Sequence, residues 1–301
     1  MTKRRPEGFD LQGHRGARGL LPENTIPAFL KALELGVDTV ELATVVTRDR
    51  KIVVSHDPWF DHRISTRPDG RPVRRWERRR FAIFALDYDE VAAFDCGLRR
   101  HPAFPRQRCM PAHKPLLIEA IRAVEARARE LGREPPFYNI ETKSRPEWDG
   151  RYQARPAEFM RLLHDDLAVL GVLERTTIQS FDVRTLQVLR EVDPAVRTSL
   201  LVTPGRRAEV AHRLGRPVRP ATAARLDAEL AGLGFTPDIY SPDYRLVDEA
   251  LVLAAHERGM LVIPWTVNSR EAMEHLITLG ADGLITDYPD VGLEVVGRTA
   301  P

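Results

Sequence analysis

Short β-branched and apolar runs alternate along the chain with longer segments whose apolar residues recur every three or four positions. That alternation is the signature of βα units built around a parallel sheet. The candidate strands are 9–14 (FDLQGH), 38–46 (DTVELATVV) with a partner at 51–56 (KIVVSH), 136–142 (PFYNIET) and 176–181 (TTIQSF). They continue at 197–202 (RTSLLV), 238–242 (DIYSP), 261–267 (LVIPWTV) and 282–288 (DGLITDY). Between them, 25–36 (TIPAFLKALELG) is apolar at helical spacing and stops at Gly36, a normal helix end. The segments 184–192, 248–259 and 270–280 repeat that pattern.

With 51–56 counted as an extension of the second strand, eight βα-type strands emerge. The count predicts an α/β fold of the closed (β/α)8 barrel kind, the TIM barrel, rather than an open doubly wound sheet. A dinucleotide-binding sheet would want GxGxxG after its first strand, but GHRGARG at 13–19 puts His14 and Arg15 where a pyrophosphate needs bare backbone. The barrel is expected over 8–301, interrupted at 58–112 by a stretch rich in Pro, Arg and aromatics without clean periodicity. A structureless loop of that length is improbable, so it reads as a small subdomain inserted after the second strand, on the face where barrels carry active sites.

Composition adds bounds. At 301 residues, 43% hydrophobic and 29% charged, the chain is an ordinary globular one with room for one large core. A net charge of +2 gives no global reason to expect wrapping around nucleic acid or lying on an acidic membrane. The run RPVRRWERRRF at 71–81 concentrates positive charge and reads first as a solvated loop surface, with attraction of a phosphate-bearing substrate as the alternative. Cys96 and Cys109 have no metal-ligand spacing and read as two thiols, or as one disulfide in an oxidising compartment. No apolar run is long enough for an integral membrane segment, and the basic start lacks a signal-peptide core. The chain as given is expected to be cytoplasmic, or extracytoplasmic if it is a processed mature form; its oligomeric state is left open.

Polar residues gather at the strand ends. The first strand ends in His14 and Arg15, and the second carries Glu41 with His56 at the end of its partner. In NIETK, Glu141 and Lys143 lie two apart and share a face, and the last strands end in WTVN and ITDYP. Taken singly, a strand-end histidine is usually structural, a Glu beside a Lys is usually an ion pair, and Glu23 and Asn24 in PENT read first as helix caps. Convergence on one rim changes the weight. Arg15 and Lys143 supply charge for phosphate oxygens, Glu41 and Glu141 suit a hard divalent cation, and two histidines offer a general base and acid.

These stretches, GHRGARGLLPENTIPAFLKALELGVDTVEL, VVSHDP, NIETKSRPEWDG, QSF, IPWTVN and DGLITDYP, in this order over about 10–290, resemble the glycerophosphodiester phosphodiesterase family. The resemblance implies a TIM barrel with an inserted subdomain, hydrolysis of glycerophosphodiesters to glycerol 3-phosphate and an alcohol, and dependence on Mg2+ or Ca2+. It makes His14 and His56 the acid/base pair, puts Arg15 and Lys143 on the phosphate, and makes Glu41 and Glu141 metal ligands. It also places Phe181 and Trp265 against the glycerol carbons, although barrel packing would account equally well for both.

One position departs from the family. Its pattern is E-x-D on the second strand, whereas this chain reads Glu41, Leu42, Ala43. A methyl group coordinates nothing, so weakened metal affinity is expected; Asp57, next to His56, is a poor substitute because adjacent strand residues face opposite ways. Three readings follow: a working phosphodiesterase with a rearranged metal site, a phosphodiester-binding pseudoenzyme, and a nucleic-acid-binding protein using the arginine run. The last lacks any recognition fold.

Overall fold

The computed structural model describes residues 5–205 and 223–298; residues 206–222 and 299–301 of the expected barrel span lie outside them. Eight parallel strands form a nearly closed barrel with helices between them. In chain order these are β1 (Asp10–Gly13), β2 (Thr39–Val46), β4 (Phe137–Thr142), β5 (Thr176–Ser180), β6 (Arg197–Val202), β7 (Ile239–Pro242), β8 (Leu261–Val262) and β9 (Gly283–Thr286). Around the barrel the order is β8, β7, β6, β5, β4, β2, β1, β9. Irregular backbone bonds bridge the remaining seam, from Asp282 N–H to the Val262 carbonyl (2.9 Å), Ile285 to Pro264 (3.0 Å) and Val267 to Ile285 (2.9 Å).

Two strands differ from their expected form. The segment Ile52–Val54, β3, is not an extension of β2 but its antiparallel hairpin partner, with Thr44 opposite Val54. The predicted strand at 261–267 is regular only at Leu261–Val262. Pro264 has no N–H for a ladder, so the chain beyond it pairs irregularly with both neighbours.

The helix Ile26–Leu35 shows how sequence and packing agree. It buries Ala28, Phe29, Ala32 and Leu33 and ends where Gly36 takes φ 110°, sending its N–H to the Ala32 and Leu33 carbonyls. Similar helices close a continuous outer core with the strands' outward residues, among them Leu42, Ile140 and Leu284.

Residues 58–112 have their own apolar cluster. Phe60, Val73, Ile83, Val91 and Phe94 gather on Val45 and Val53 of the β2–β3 hairpin, with the Phe60 and Phe94 rings stacked at 3.9 Å. The segment also reaches the loop after β1: the Gln107 amide donates to the Arg18 and Leu21 carbonyls, and the Arg108 N–H to that of Leu20. It therefore stands beside the C-terminal mouth of the barrel. Cys96 and Cys109 are both free thiols.

Candidate active site

Strand alternation aims Glu41, Glu141 and Gln179 into the barrel, and the chain just past the strand ends adds His14, Arg15, His56, Lys143, Phe181 and Trp265. The eight residues singled out from the sequence, His14, Arg15, Glu41, His56, Glu141, Lys143, Phe181 and Trp265, all line one cavity of about 130 Å³. Arg18 and Gln179 line it with them.

His14 is held by a carboxylate: its Nδ1 lies 2.6 Å from Asp287 Oδ1. Asp287 is in turn braced by Asn268, whose amide donates to Oδ2 at 2.7 Å and accepts from the Asp287 N–H at 2.9 Å. Burial pushes the Asp287 carboxyl up, but His14, Arg18 and Asn268 outweigh it and hold it below the usual range. His56 Nδ1 lies 3.0 Å from Asp57 Oδ1. Loss of hydration, then the charges of Arg15 and Lys143, push the His56 pKa well below its ordinary value, so it is neutral at pH 7.

Glu41 is tied at both oxygens, accepting from Gln179 Nε2 on Oε1 (2.7 Å) and from the Arg15 backbone N–H on Oε2 (2.7 Å). Burial pushes its carboxyl up, with the charge of Glu141 adding to this and His14 opposing it. Lys143 Nζ donates to Glu141 Oε1 at 2.5 Å. Burial lowers the Lys143 pKa despite that partner. Arg15 donates through Nη1 to Glu23 (2.7 Å) and Arg18 through Nε to the other Glu23 oxygen (2.5 Å).

The capping reading of PENT gives way here. Thr25 is the N-cap of the helix Ile26–Leu35, and its side chain makes no cap bond. Glu23 instead neutralises two arginines, which hold its carboxyl well below the usual range although burial pushes the other way. Asn24, at φ 55°, accepts from the Ala43 N–H at 3.3 Å.

The cation expected from the family can be tested on the donor set. Ala43 is buried, stands in register beside Glu141 and offers no donor. Asp57 turns to His56, and no group of three His, Cys, Asp or Glu suited to a metal occurs among the described residues. Two carboxylates remain, each with lone pairs to spare. Glu23, Glu41, Glu141 and Asp287 are balanced by Arg15, Arg18, Lys143 and a protonated His14, so an arriving phosphate brings negative charge that the site does not already cover. The residues fit a hard divalent ion held through two carboxylates, with water and phosphate oxygens completing its shell.

Three participants escaped the sequence reading: Asp287 behind His14, Gln179 on Glu41, and Arg18 beside Arg15. The signal for Asp287 was its place at the end of the last strand, in ITDYP. Gln179, on β5, lies two residues before Phe181, which the family resemblance placed at the site, so alternation counted back from that residue points to it.

A parallel barrel whose C-terminal mouth gathers two histidines, a carboxylate pair, an arginine and a lysine has the residue types that phosphate-ester hydrolysis uses. The glycerophosphoryl diester phosphodiesterase family model matches residues 14–291. The chain belongs to that family, and it is an enzyme of the family's kind, a phosphoric diester hydrolase acting on glycerophosphodiesters. It is 28% identical over 289 residues to a glycerophosphodiester phosphodiesterase of Caldanaerobacter subterraneus, covering 95% of this chain and 96% of that one. A crystal structure from Silicibacter pomeroyi superposes with a TM-score of 0.80 at 27% identity, covering 99% of this chain and 97% of the other. An Oleispira antarctica phosphodiesterase, solved in complex with the product sn-glycerol-3-phosphate, shares the fold with a TM-score of 0.69 at 18% identity, covering 97% and 98% of the two chains.

Proposed function

We propose that the cavity releases glycerol 3-phosphate and an alcohol by proton transfers between His14, His56 and the substrate, two in each half of the reaction. The observation that carries this is the placement of both histidines in one cavity with Arg15 and Lys143, each imidazole held at Nδ1 by a carboxylate so that Nε2 is left for substrate. Arg15 and Lys143 bind the phosphate oxygens, and Phe181 and Trp265, edge to face at 5.4 Å, flank the glycerol carbons. Residues 58–112 act as an inserted subdomain walling the mouth.

His56, neutral at pH 7, takes the proton of the substrate's 2-hydroxyl as that oxygen bonds to phosphorus. The phosphorus–alcohol bond breaks, and His14, held in place by Asp287, gives its proton to the departing oxygen. In the second half water attacks the cyclic phosphate, His14 takes a proton from it, and His56 returns its own to the 2-oxygen. Both imidazoles are thereby reset. Glu41 and Glu141 would hold Mg2+ or Ca2+, which when bound supplies charge neutralisation at the phosphate.

A second reading, a phosphodiester-binding pseudoenzyme, is favoured by one observation, the buried methyl of Ala43 beside Glu141. Coupled detection of glycerol 3-phosphate from glycerophosphocholine, titrating Mg2+ and Ca2+ against this protein and Ala43→Asp, separates the two. Metal-dependent turnover by the parent is the expected result, with Ala43→Asp reaching half-activation at roughly 10- to 100-fold lower metal. A silent parent with an active Ala43→Asp variant assigns the pseudoenzyme, and silence in both overturns the hydrolytic reading.

A further inference from the structure

The arginine run at 71–81 takes no part in the cavity chemistry, yet it is arranged as a surface. It holds six arginines and one acid, Glu77. Glu77 is buried and turned inward, accepting from the Arg74 backbone N–H at 2.9 Å. Arg71, Arg74, Arg75, Arg79 and Arg80 are exposed, and none of Arg74, Arg75, Arg78, Arg79 and Arg80 forms an ion pair with a carboxylate among the described residues. Trp76 projects between them, 66% exposed, with the Arg74 and Arg80 guanidiniums 5.9 and 5.4 Å from its ring.

The surface runs on toward the active site. Arg78 and Arg79 lie 5.4 Å over the ring of Trp59, which packs edge-on against Trp148 and Tyr152. Arg145, 4.9 Å from the Trp148 ring, extends the belt to the groove that shares Phe181 with the catalytic cavity. Glu147, exposed and 4.0 Å from Arg145, is the acid at that end.

We propose that this face docks on an anionic lipid surface, with Trp76 set at headgroup level and the unpaired arginines on lipid phosphates. An exposed indole is amphipathic in the way a membrane interface requires, and arginine keeps its head in the polar layer while its stem lies on apolar surface. A cluster of basic residues is what an anionic leaflet attracts, even on a chain whose net charge is only +2. Nucleic-acid surfaces offer successive rings along a groove; here Trp76 is the one ring of the arginine run that stands well exposed, while Trp59 is 6% exposed and Trp148 and Tyr152 are only partly exposed against it. No helix among the described residues is long and apolar enough to cross a membrane, so the contact is peripheral. Docking would bring the mouth to a bilayer, a source of glycerol phosphodiesters.

Co-sedimentation of the full chain with vesicles of phosphatidylglycerol and phosphatidylcholine, against phosphatidylcholine alone, tests this without any need for turnover. Salt-sensitive binding to the anionic vesicles only is expected. An Arg74→Ala, Arg75→Ala, Arg80→Ala triple variant should bind about a hundredfold more weakly, roughly fivefold per arginine. Trp76→Ala should weaken binding as well, and each variant should keep the parent's unfolding midpoint. Equal binding to both vesicle types, none to either, or undiminished binding by the triple variant overturns the proposal. So does tighter binding of the protein to single-stranded RNA than to the anionic vesicles at the same ionic strength.

Discussion

The two sides of the barrel interior are built from opposite materials. Along β7, β8 and β9 the inward residues Ile239, Ile263 and Ile285 form a small apolar cluster against which Leu261 and Trp265 pack. Along β1, β2, β4 and β5 they form a chain of buried amides and acids. Gln12 donates to Asp10 (2.8 Å), Asn139 to Gln12 (2.7 Å) and Gln179 (3.1 Å), and Gln179 to Glu41 (2.7 Å). Barrel interiors are usually filled with branched apolar side chains, and a buried polar group left unpaired costs about 1–3 kcal/mol. The polar side is therefore tolerable because its members largely pair with one another, Asn139 Oδ1 being left without a partner. In doing so they fix the direction of Glu41 from the floor of the barrel. The apolar side sets no direction and serves as packing and wall.

The sharpest test of that division is at the mouth. His14→Ala and His56→Ala should each lower kcat by about 10²- to 10⁴-fold while the unfolding midpoint changes little; near-parent turnover by either would remove the proton-transfer scheme.

A crossed pair of substitutions then compares the two sides directly. Gln179→Ala frees one oxygen of Glu41 and should reduce metal affinity or turnover about 10- to 100-fold, with Gln179→Glu failing to restore it because a second carboxylate repels the first. Ile263→Ala should do the reverse, costing about 2–5 kcal/mol of stability in a denaturant melt while leaving KM and kcat near the parent's. Equal effects of both changes on both measurements would erase the distinction.

The smallest effect concerns the foot of the polar chain. Burial pushes the Asp10 carboxyl from 3.8 to about 6, against hydrogen bonds from Thr39 and Gln12. The folded state then binds this proton more tightly than the unfolded chain. Stability from this group is present below pH 4 and is lost as pH rises toward 6, by up to about 3 kcal/mol. Glu23 and Asp287, held below the usual range, act in the opposite sense at lower pH. The difference in unfolding free energy between the parent and Asp10→Asn isolates the Asp10 part: it should change across pH 4–6 and be level above. A difference that is level throughout would contradict the raised value.

Much of the fold was legible because period and punctuation agree with it. The 25–36 stretch carries its helical face and its glycine stop in the sequence, and Gly36 adopts the left-handed geometry that ends the helix. Where the chain departs from the pattern, the reason is local chemistry or a partner far away. Pro264 interrupts a strand whose composition reads as continuous, and 51–56 turns back as a hairpin whose two faces both find partners, Val53 in the cluster of residues 58–112 and Ile52 and Val54 in the main core. Glu23 looks like a capping residue from its neighbours in sequence, but two arginines in the preceding loop claim it.

Residue type and position marked His14, Arg15, Glu41, His56, Glu141 and Lys143 as chemistry-bearing: alternation aims Glu41 and Glu141 inward, and the other four stand just past strand ends. The resemblance to the family marked the carboxylate missing at Ala43. Which groups orient them lay beyond the sequence. Asp287 is 273 residues from His14 and Gln179 is 138 from Glu41. Hydrogen bonds between such positions exist only once the strands have closed into a ring, since direction and distance across a barrel belong to the folded backbone and not to the order of residues along it.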